Sequence, residues 1–460
     1  MIPMLKSWLL NLAYIALLVI LSPLLLYRAI VQGKYRRGFR QKYLGRIPRR
    51  RHVYAKAKAV DTEDSRVLWF HAVSVGEVNL LRPLLKMIAE TKPNWHCVIS
   101  TTSYTGMEIA LKLYQANHLV FYCPLDFSWA VGKAMKRLKP DMLVLTEQEL
   151  WPNMIDAAKK SGTRIAIVNG RLGETGYKNY LRIRFLIAPM LQKIDAIAVQ
   201  SETYAGWFRH LGASTNAIHI IGSMKFDGAS ADRENPLTAS LRTLAGISEN
   251  DVVFLAGSTQ APEEAYAVDC YEHLKGDFPQ LRLIIVPRHP ERFNEVAQML
   301  TQKGVLWERR STLHENDLRS LEKRPPLDPH TSYEQVRPRI LLVDSMGELG
   351  AWWGVASIAF VGGSLGSRGG QNMIEPAAYG AAVSFGPNTK NFHDIVELLL
   401  RNDSAVVIHD QHELERFVGR CLEDPAYPAE LGARAKELVA QQLGATQRTF
   451  KMLEGLAVSG

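Results

Sequence analysis

Three carboxylates and one cation occupy positions from which they could act on a substrate. Glu77 follows FHAVSVG, residues 70–76, where alternating aromatic and β-branched residues give way to a Ser-Val-Gly turn, so the acid falls where a helix must begin. There the helix dipole favours an ionised carboxylate by about 0.3–1 kcal/mol, the state a general base needs. The same place equally suits an acid that only satisfies the first helix amides. LTEQELWPN, residues 145–153, sets Glu147 and Glu149 two apart after another apolar run, and IGSMKFD, 221–227, puts Lys225 after a third. Glu147 and Lys225, at neighbouring sheet ends, suit a simple ion pair with each other.

A second group suits a nucleotide. VPRHPER, residues 286–292, holds Arg288 at a strand end beside Pro287, where its guanidinium matches a phosphate oxygen pair or serves an ion pair within the fold. SIAFVGGSLGSRGGQNMIEPAAYG, residues 357–380, reads as a strand, a glycine-rich turn and a short helix. Glycines there let backbone amides approach a phosphate, with Gly363 and Ser364 at the turn, or else serve close packing alone. Asn372 and Glu375 lie three apart on one helix face, with Met373 and Ile374 between them, and a carboxylate so placed can accept from two ribose hydroxyls. VDSMGELG, residues 343–350, offers bare backbone around Met346, Gly347 and Glu348 that can read a base edge.

These residues need elements to hold them at strand ends. From residue 66 onward, short β-rich runs alternate with helical patterns, as VLWFHAV, HCVIS, DMLVL, TRIAIV, DAIAV and AIHII, then VVFLAG, LRLIIVP, RILLVD, SIAFVGG and AAVSFG. Continuous apolar strands separated by helices imply parallel sheets covered on both faces. The polar, strandless stretch from about 227 to 251 divides two doubly wound domains, a number that 460 residues accommodate. The last helical pattern, about 428–456, can pack on either domain. In such sheets ligands bind beyond the carboxyl ends of the strands, where the residues above lie. Neither domain carries G-x-G-x-x-G after its first strand, which removes the main signature of a dinucleotide oxidoreductase. No D-x-D, H-E-x-x-H or Cys/His cluster occurs, so no metal site and no cofactor is expected. Cys97, Cys123, Cys270 and Cys421 stand far apart without a CxxC pair, which argues against a disulfide framework.

The first 27 residues differ from the rest. WLLNLAYIALLVILSPLLLY, residues 8–27, is apolar apart from Asn11, Ser22 and Pro23, and 20 helical residues reach about 30 Å, roughly one hydrocarbon core. It reads as an uncleaved anchor, with a helix lying in the interface or buried as the alternative. Eleven of the 55 basic residues precede residue 52 and no acid does, leaving 44 basic against 46 acidic residues beyond it. The net charge of +9 is therefore a basic collar on a near-neutral body, which argues against a nucleic-acid partner. The collar suits a cytoplasmic flank and anionic headgroups.

Taken together, VSVGE, E-x-E-x-W-P-N, G-S-x-K-F-D, P-R-H-P-E-R, S-M-G-E-L and V-G-G-S-L followed by G-G-x-N-x-x-E-P-A-A resemble the 3-deoxy-D-manno-octulosonic acid (Kdo) transferases of lipopolysaccharide synthesis. The resemblance runs from the N-terminal segment to the last helix. Gln371 stands where His is expected, and Val343-Asp344-Ser345 where Gly-Asp-Thr is expected. The resemblance implies a GT-B fold, two Rossmann-like α/β domains facing a cleft, here an anchor 1–27, a basic segment 28–59, an acceptor domain 60–231, a linker 232–250, a nucleotide-sugar domain 251–427 and a terminal helix 428–460. It implies Glu77 as proton acceptor and Glu147 and Lys225 as transition-state supports. It also implies Pro287, Arg288, Met346–Glu348 and Asn372–Glu375 as the holders of CMP in the donor CMP-Kdo. It implies transfer with inversion to a lipid A precursor, lipid IVA, at the cytoplasmic face of the bacterial inner membrane. A UDP-sugar transferase, a 2-epimerase or a nucleotide-binding scaffold on the same architecture are the competing readings.

Overall fold

The computed structural model describes residues 2–31, 37–60, 62–229, 232–313 and 338–458. Two compact units divide the chain, Met1–Asp227 with Gln442–Gly460, and Gly228–Gln441. Each is built on one seven-stranded sheet. In the first unit the strands are β1 (Arg66–His71), β2 (Trp95–Thr101), β3 (Leu119–Tyr122), β4 (Met142–Thr146), β5 (Arg164–Gly170), β6 (Ala196–Val199) and β7 (Ile218–Ile220), ordered β3-β2-β1-β4-β5-β6-β7. In the second they are β8 (Val252–Thr259), β9 (Leu281–Pro287), β10 (Trp307–Arg309), β11 (Ile340–Leu342), β12 (Ile358–Val361), β13 (Ala382–Phe385) and β14 (Val406–Val407), ordered β10-β11-β9-β8-β12-β13-β14. All strand pairs are parallel.

Residues of opposite parity bury on opposite faces, which is why these strands are apolar throughout rather than alternating. In β1, Val67 and Trp69 enter one core and Leu68 and Phe70 the other. Strand order reverses between β1 and β4 in the first sheet and between β8 and β12 in the second. At such a reversal the loops leave in opposite directions and open a crevice beyond the strand ends. The segments after β1 and β4 carry Glu77 and Glu147; those after β8 and β12 carry Glu263 and the glycine-rich turn.

Two expectations change. The terminal segment is two helices, Ala426–Gln442 and Ala445–Val458, broken at Gly444, whose φ of 82° is a left-handed turn that glycine adopts without strain. The first helps to build the second unit, where Leu431 is buried in its core, and the second returns to the first, where Ala445, Phe450 and Leu453 are buried on the sheet face that also holds Phe70. The stretch expected as a linker holds a helix, Pro236–Leu244, that buries Thr238, Leu241 and Leu244 and belongs to the second unit. The N-terminal segment is helical over Ile2–Val31 with Pro23 inside it. Among the described residues, no helix is long and apolar enough to cross a membrane. Part of the basic collar, residues 32–36, lies outside the described residues.

Leu453 is fully buried, so Leu453→Ala should destabilise the first unit by about 2–5 kcal/mol, seen as a lower urea midpoint. An unchanged midpoint would show that the returning helix adds nothing to that core.

Candidate active site

Glu77 caps the helix Val75–Thr91 from within its first turn. Its amide donates to the Ser74 hydroxyl (3.2 Å), while its carboxylate accepts from the Ser74 amide on Oε1 (3.2 Å) and the Val73 amide on Oε2 (2.8 Å). The Val73 carbonyl is held in turn by Ser103 (2.8 Å) and Thr101 (3.2 Å). Buried Thr146, the last residue of β4, places its hydroxyl 2.6 Å from Glu77 Oε2 and 2.8 Å from the His71 carbonyl, and one hydroxyl proton serves only one of them at a time. A carboxylate offers about four lone-pair directions. Two on Oε2 and one on Oε1 are engaged, which leaves one on Oε1. Capping and proton acceptance are therefore compatible in this geometry.

Glu147, one residue past Thr146, has a φ of 56°, a left-handed conformation unusual for a residue with a Cβ. That bend turns its carboxylate onto two cations, Arg171 Nε at 2.8 Å and Lys225 Nζ at 3.5 Å. The Lys225 ammonium is pushed down by burial, with the Glu147 charge opposing the shift. Arg171, the residue after β5, escaped the sequence reading although it obeys the same strand-end rule as the others. Glu149 meets the opposite environment. Burial first, then the charge of Glu77, raise its carboxyl to about 7, against the hydrogen bond from Trp151 Nε1 at 2.9 Å. His71 beneath them is fully buried, pushed down to about 4 by burial, with Nδ1 3.0 Å from Ser100 Oγ.

In the second unit the glycine-rich turn has an internal partner. Glu263, 1 % exposed, accepts from the amides of Gln260 (2.9 Å), Gly363 (2.7 Å), Ser364 (3.0 Å) and Leu365 (3.0 Å). The amides of Gly363 and Ser364, candidates for a phosphate, thus point at this carboxylate, and all four of its lone-pair directions are used. The next glycines, Gly369 and Gly370, take φ of 93° and 78°. They lead into Gln371, Asn372 and Met373, whose amides have no acceptor among the described residues.

Asn372 Nδ2 donates to Glu375 Oε1 (3.0 Å), and Asn372 Oδ1 accepts from the Ile374 amide (3.1 Å), so the two expected ribose-facing residues are locked together. Burial pushes the Glu375 carboxyl up, opposed by Asn372. Glu348 is gripped by Arg310 at 3.0 and 2.8 Å and by Ser345 Oγ at 2.6 Å. Burial works to raise it, and these bonds outweigh burial and hold it below the usual carboxylate range. Met346 is exposed and Gly347 has a φ of 87°. Arg288, just after Pro287 at the end of β9, has its amide on Thr259 O (3.1 Å) and an exposed guanidinium with no ion pair among the described residues. No cluster of three or more His, Cys, Asp or Glu suited to a metal occurs among the described residues.

A family model described as 3-deoxy-D-manno-octulosonic-acid transferase (kdotransferase) matches residues 45–228. The chain is 30 % identical over 443 residues to the 3-deoxy-D-manno-octulosonic acid transferase of Haemophilus influenzae, covering 96 % of this chain and 97 % of that one. It is 32 % identical over 360 residues to a bifunctional glycosyltransferase/methyltransferase of Fusobacterium nucleatum, covering 78 % of this chain but only 53 % of that protein, about half its length. Among solved structures, the C-terminal CMP-Kdo binding domain of WaaA from Acinetobacter baumannii aligns at 28 % identity and a TM-score of 0.37, covering 44 % of this chain and 95 % of that one. UDP-GlcNAc 2-epimerase from Neisseria meningitidis aligns at 12 % identity and a TM-score of 0.51 over 85 % of this chain and 99 % of that one, a likeness of fold.

Glu149 titrates higher in the folded chain, at about 7, than the ordinary unfolded value of ~4.3. A raised acid favours the folded state below the unfolded value, and that advantage is lost as pH rises through the folded one. The stability of the wild type relative to Glu149→Gln should therefore fall between about pH 4.5 and 7.5, measured by urea unfolding across that range. A constant difference would contradict the buried environment assigned to this acid.

Proposed function

The chain belongs to the 3-deoxy-D-manno-octulosonic acid transferase family, and on that premise we propose that it transfers Kdo with inversion from CMP-Kdo to a lipid A precursor, lipid IVA, in lipopolysaccharide biosynthesis. The observation that carries the mechanism is the Glu77 carboxylate, fixed at a sheet's switch point by two amides and Thr146 with one lone-pair direction left on Oε1. Glu77 takes the proton of the acceptor hydroxyl as that oxygen bonds to the anomeric carbon. The bond from that carbon to the donor phosphate breaks, and CMP departs with the electron pair.

One acid acting as base fits a single in-line displacement with inversion, whereas retention would require a second carboxylate as nucleophile. Glu147, held by Arg171 and Lys225, keeps Lys225 positioned beside the base to offset charge in the transition state. In the second unit the exposed Arg288 guanidinium and the amides of Gln371, Asn372 and Met373 receive the phosphate, Asn372 and Glu375 the ribose, and the turn Met346–Glu348 the base. The anchor and the collar are read as holding the enzyme at the cytoplasmic face of the inner membrane, where a phosphorylated, acylated acceptor resides.

Glu77→Gln should lower turnover by about 10²–10⁴-fold while CMP binding persists, measured by nucleotide release and by calorimetry. Wild-type turnover in that variant contradicts the base assignment. Arg288→Ala should weaken CMP binding by about ten- to a hundredfold, the loss of a charge-assisted phosphate contact, with Glu77 untouched.

A further inference from the structure

Three polar residues in the first half of the apolar N-terminal helix turn toward the rest of the first unit. Ser7, Asn11 and Tyr14, spaced by four and three, share one helix face, and all three bond to the first unit. Ser7 Oγ donates to Asn153 Oδ1 (2.7 Å), Asn11 Nδ2 donates to Ser128 Oγ (2.7 Å), Asn11 Oδ1 accepts from the Ser128 amide (3.1 Å), and Tyr14 OH donates to Asp126 Oδ2 (3.1 Å). Asn11 is 3 % exposed, whereas its neighbours Trp8, Leu9 and Leu12 are 60–66 % exposed.

The receiving elements are two helix starts that cannot cap themselves. The helix Ser128–Leu138 begins after Phe127 and the helix Pro152–Lys160 after Trp151, aromatic residues whose side chains make no capping bond. Unmet first-turn amides are costly, and a side-chain oxygen that accepts from them stabilises the helix start. Asn11 supplies that oxygen to Ser128. Asp126 supplies it to the amides of Asn153 (3.0 Å) and Met154 (2.8 Å), and Tyr14 holds Asp126 in turn. Asn153 ties the cluster together, since Nδ2 also donates to the Asp126 carbonyl (2.5 Å). The helix beginning at Pro152 is the end of the same short segment that carries Glu147 and Glu149.

We propose that the N-terminal helix is a brace of the catalytic unit, with Asn11, Ser7 and Tyr14 as positioning residues that fix the Glu147–Asn153 segment through Asn153 and Asp126. The helix therefore acts on turnover independently of any hold on a membrane. The inference rests on the proposed transfer reaction for its catalytic consequence and on the hydrogen bonds alone for its mechanical one.

The test uses the full chain in detergent micelles with CMP-Kdo and lipid acceptor, comparing wild type with Asn11→Leu, which preserves the helix's apolar character. Small displacements of a catalytic group carry large rate costs. The expected result is a kcat about tenfold lower, KM for CMP-Kdo unchanged, sedimentation with phospholipid vesicles unchanged, and faster amide hydrogen exchange over 147–156. Should Asn11→Leu not fold, the double variant Ser7→Ala/Tyr14→Phe removes two hydroxyls and should show the same pattern at about threefold in kcat. Wild-type kcat or wild-type exchange in the folded variant overturns the brace. An inactive wild type would refute the transfer reading instead, and the exchange measurement would still decide the brace.

Discussion

A carboxylate inside a fold must be met by donors, and where those donors come from decides whether it can still act. Glu77, 8 % exposed, is met by the amides of its own helix start and by a hydroxyl from the neighbouring strand. Buried charge without such partners costs several kcal/mol. The β1–β4 pairing, which aligns His71 with Leu145 and sets Thr146 just beyond, therefore matters to more than sheet stability. It brings the third donor to the acid. The Val73 carbonyl, pinned by Ser103 and Thr101, fixes the turn that delivers the first.

The second unit solves the same geometric problem with the opposite outcome. Its switch point also holds a carboxylate facing backbone amides, but Glu263 takes four of them and has no lone-pair direction left. It closes the β8 and β12 loops onto each other and is structural. The phosphate contacts proposed above therefore lie further along the same turn and at Arg288. Gly362 shows how tight the closure is, since a Cβ there would lie 2.6 Å from Thr259 Cα and 2.7 Å from Glu263 Oε2.

Much of this is legible in the sequence because parallel sheets put chemistry in a predictable place. Apolar runs mark the strands, the residues just after them mark the loops, and Glu77, Glu147, Lys225 and Arg288 follow from that rule, whereas Glu375 follows from its spacing with Asn372 on a helix face. What escapes the rule depends on partners distant in sequence. Glu263 reads as an ordinary acid in a first helical turn, and three of its four amide partners are about a hundred residues away. Arg171 lies within reach of the rule, but its pairing with Glu147 depends on the left-handed bend at Glu147, which the sequence does not show. Asn11 looks like a blemish in an apolar run, because nothing local shows that Phe127 leaves a helix start uncapped. The final helix reads as continuous because its apolar spacing crosses Gly444 without a proline to break it.

The central claim, that a base held by its own helix start works with a nucleotide-binding second unit to move Kdo, is tested most directly by the products of the purified chain. Incubated with CMP-Kdo and the phosphorylated, acylated disaccharide acceptor, it should release CMP in step with the appearance of Kdo on the lipid, seen by mass spectrometry, with the anomeric configuration inverted by NMR. A lipid that gains no Kdo, or a retained anomeric configuration, would contradict it.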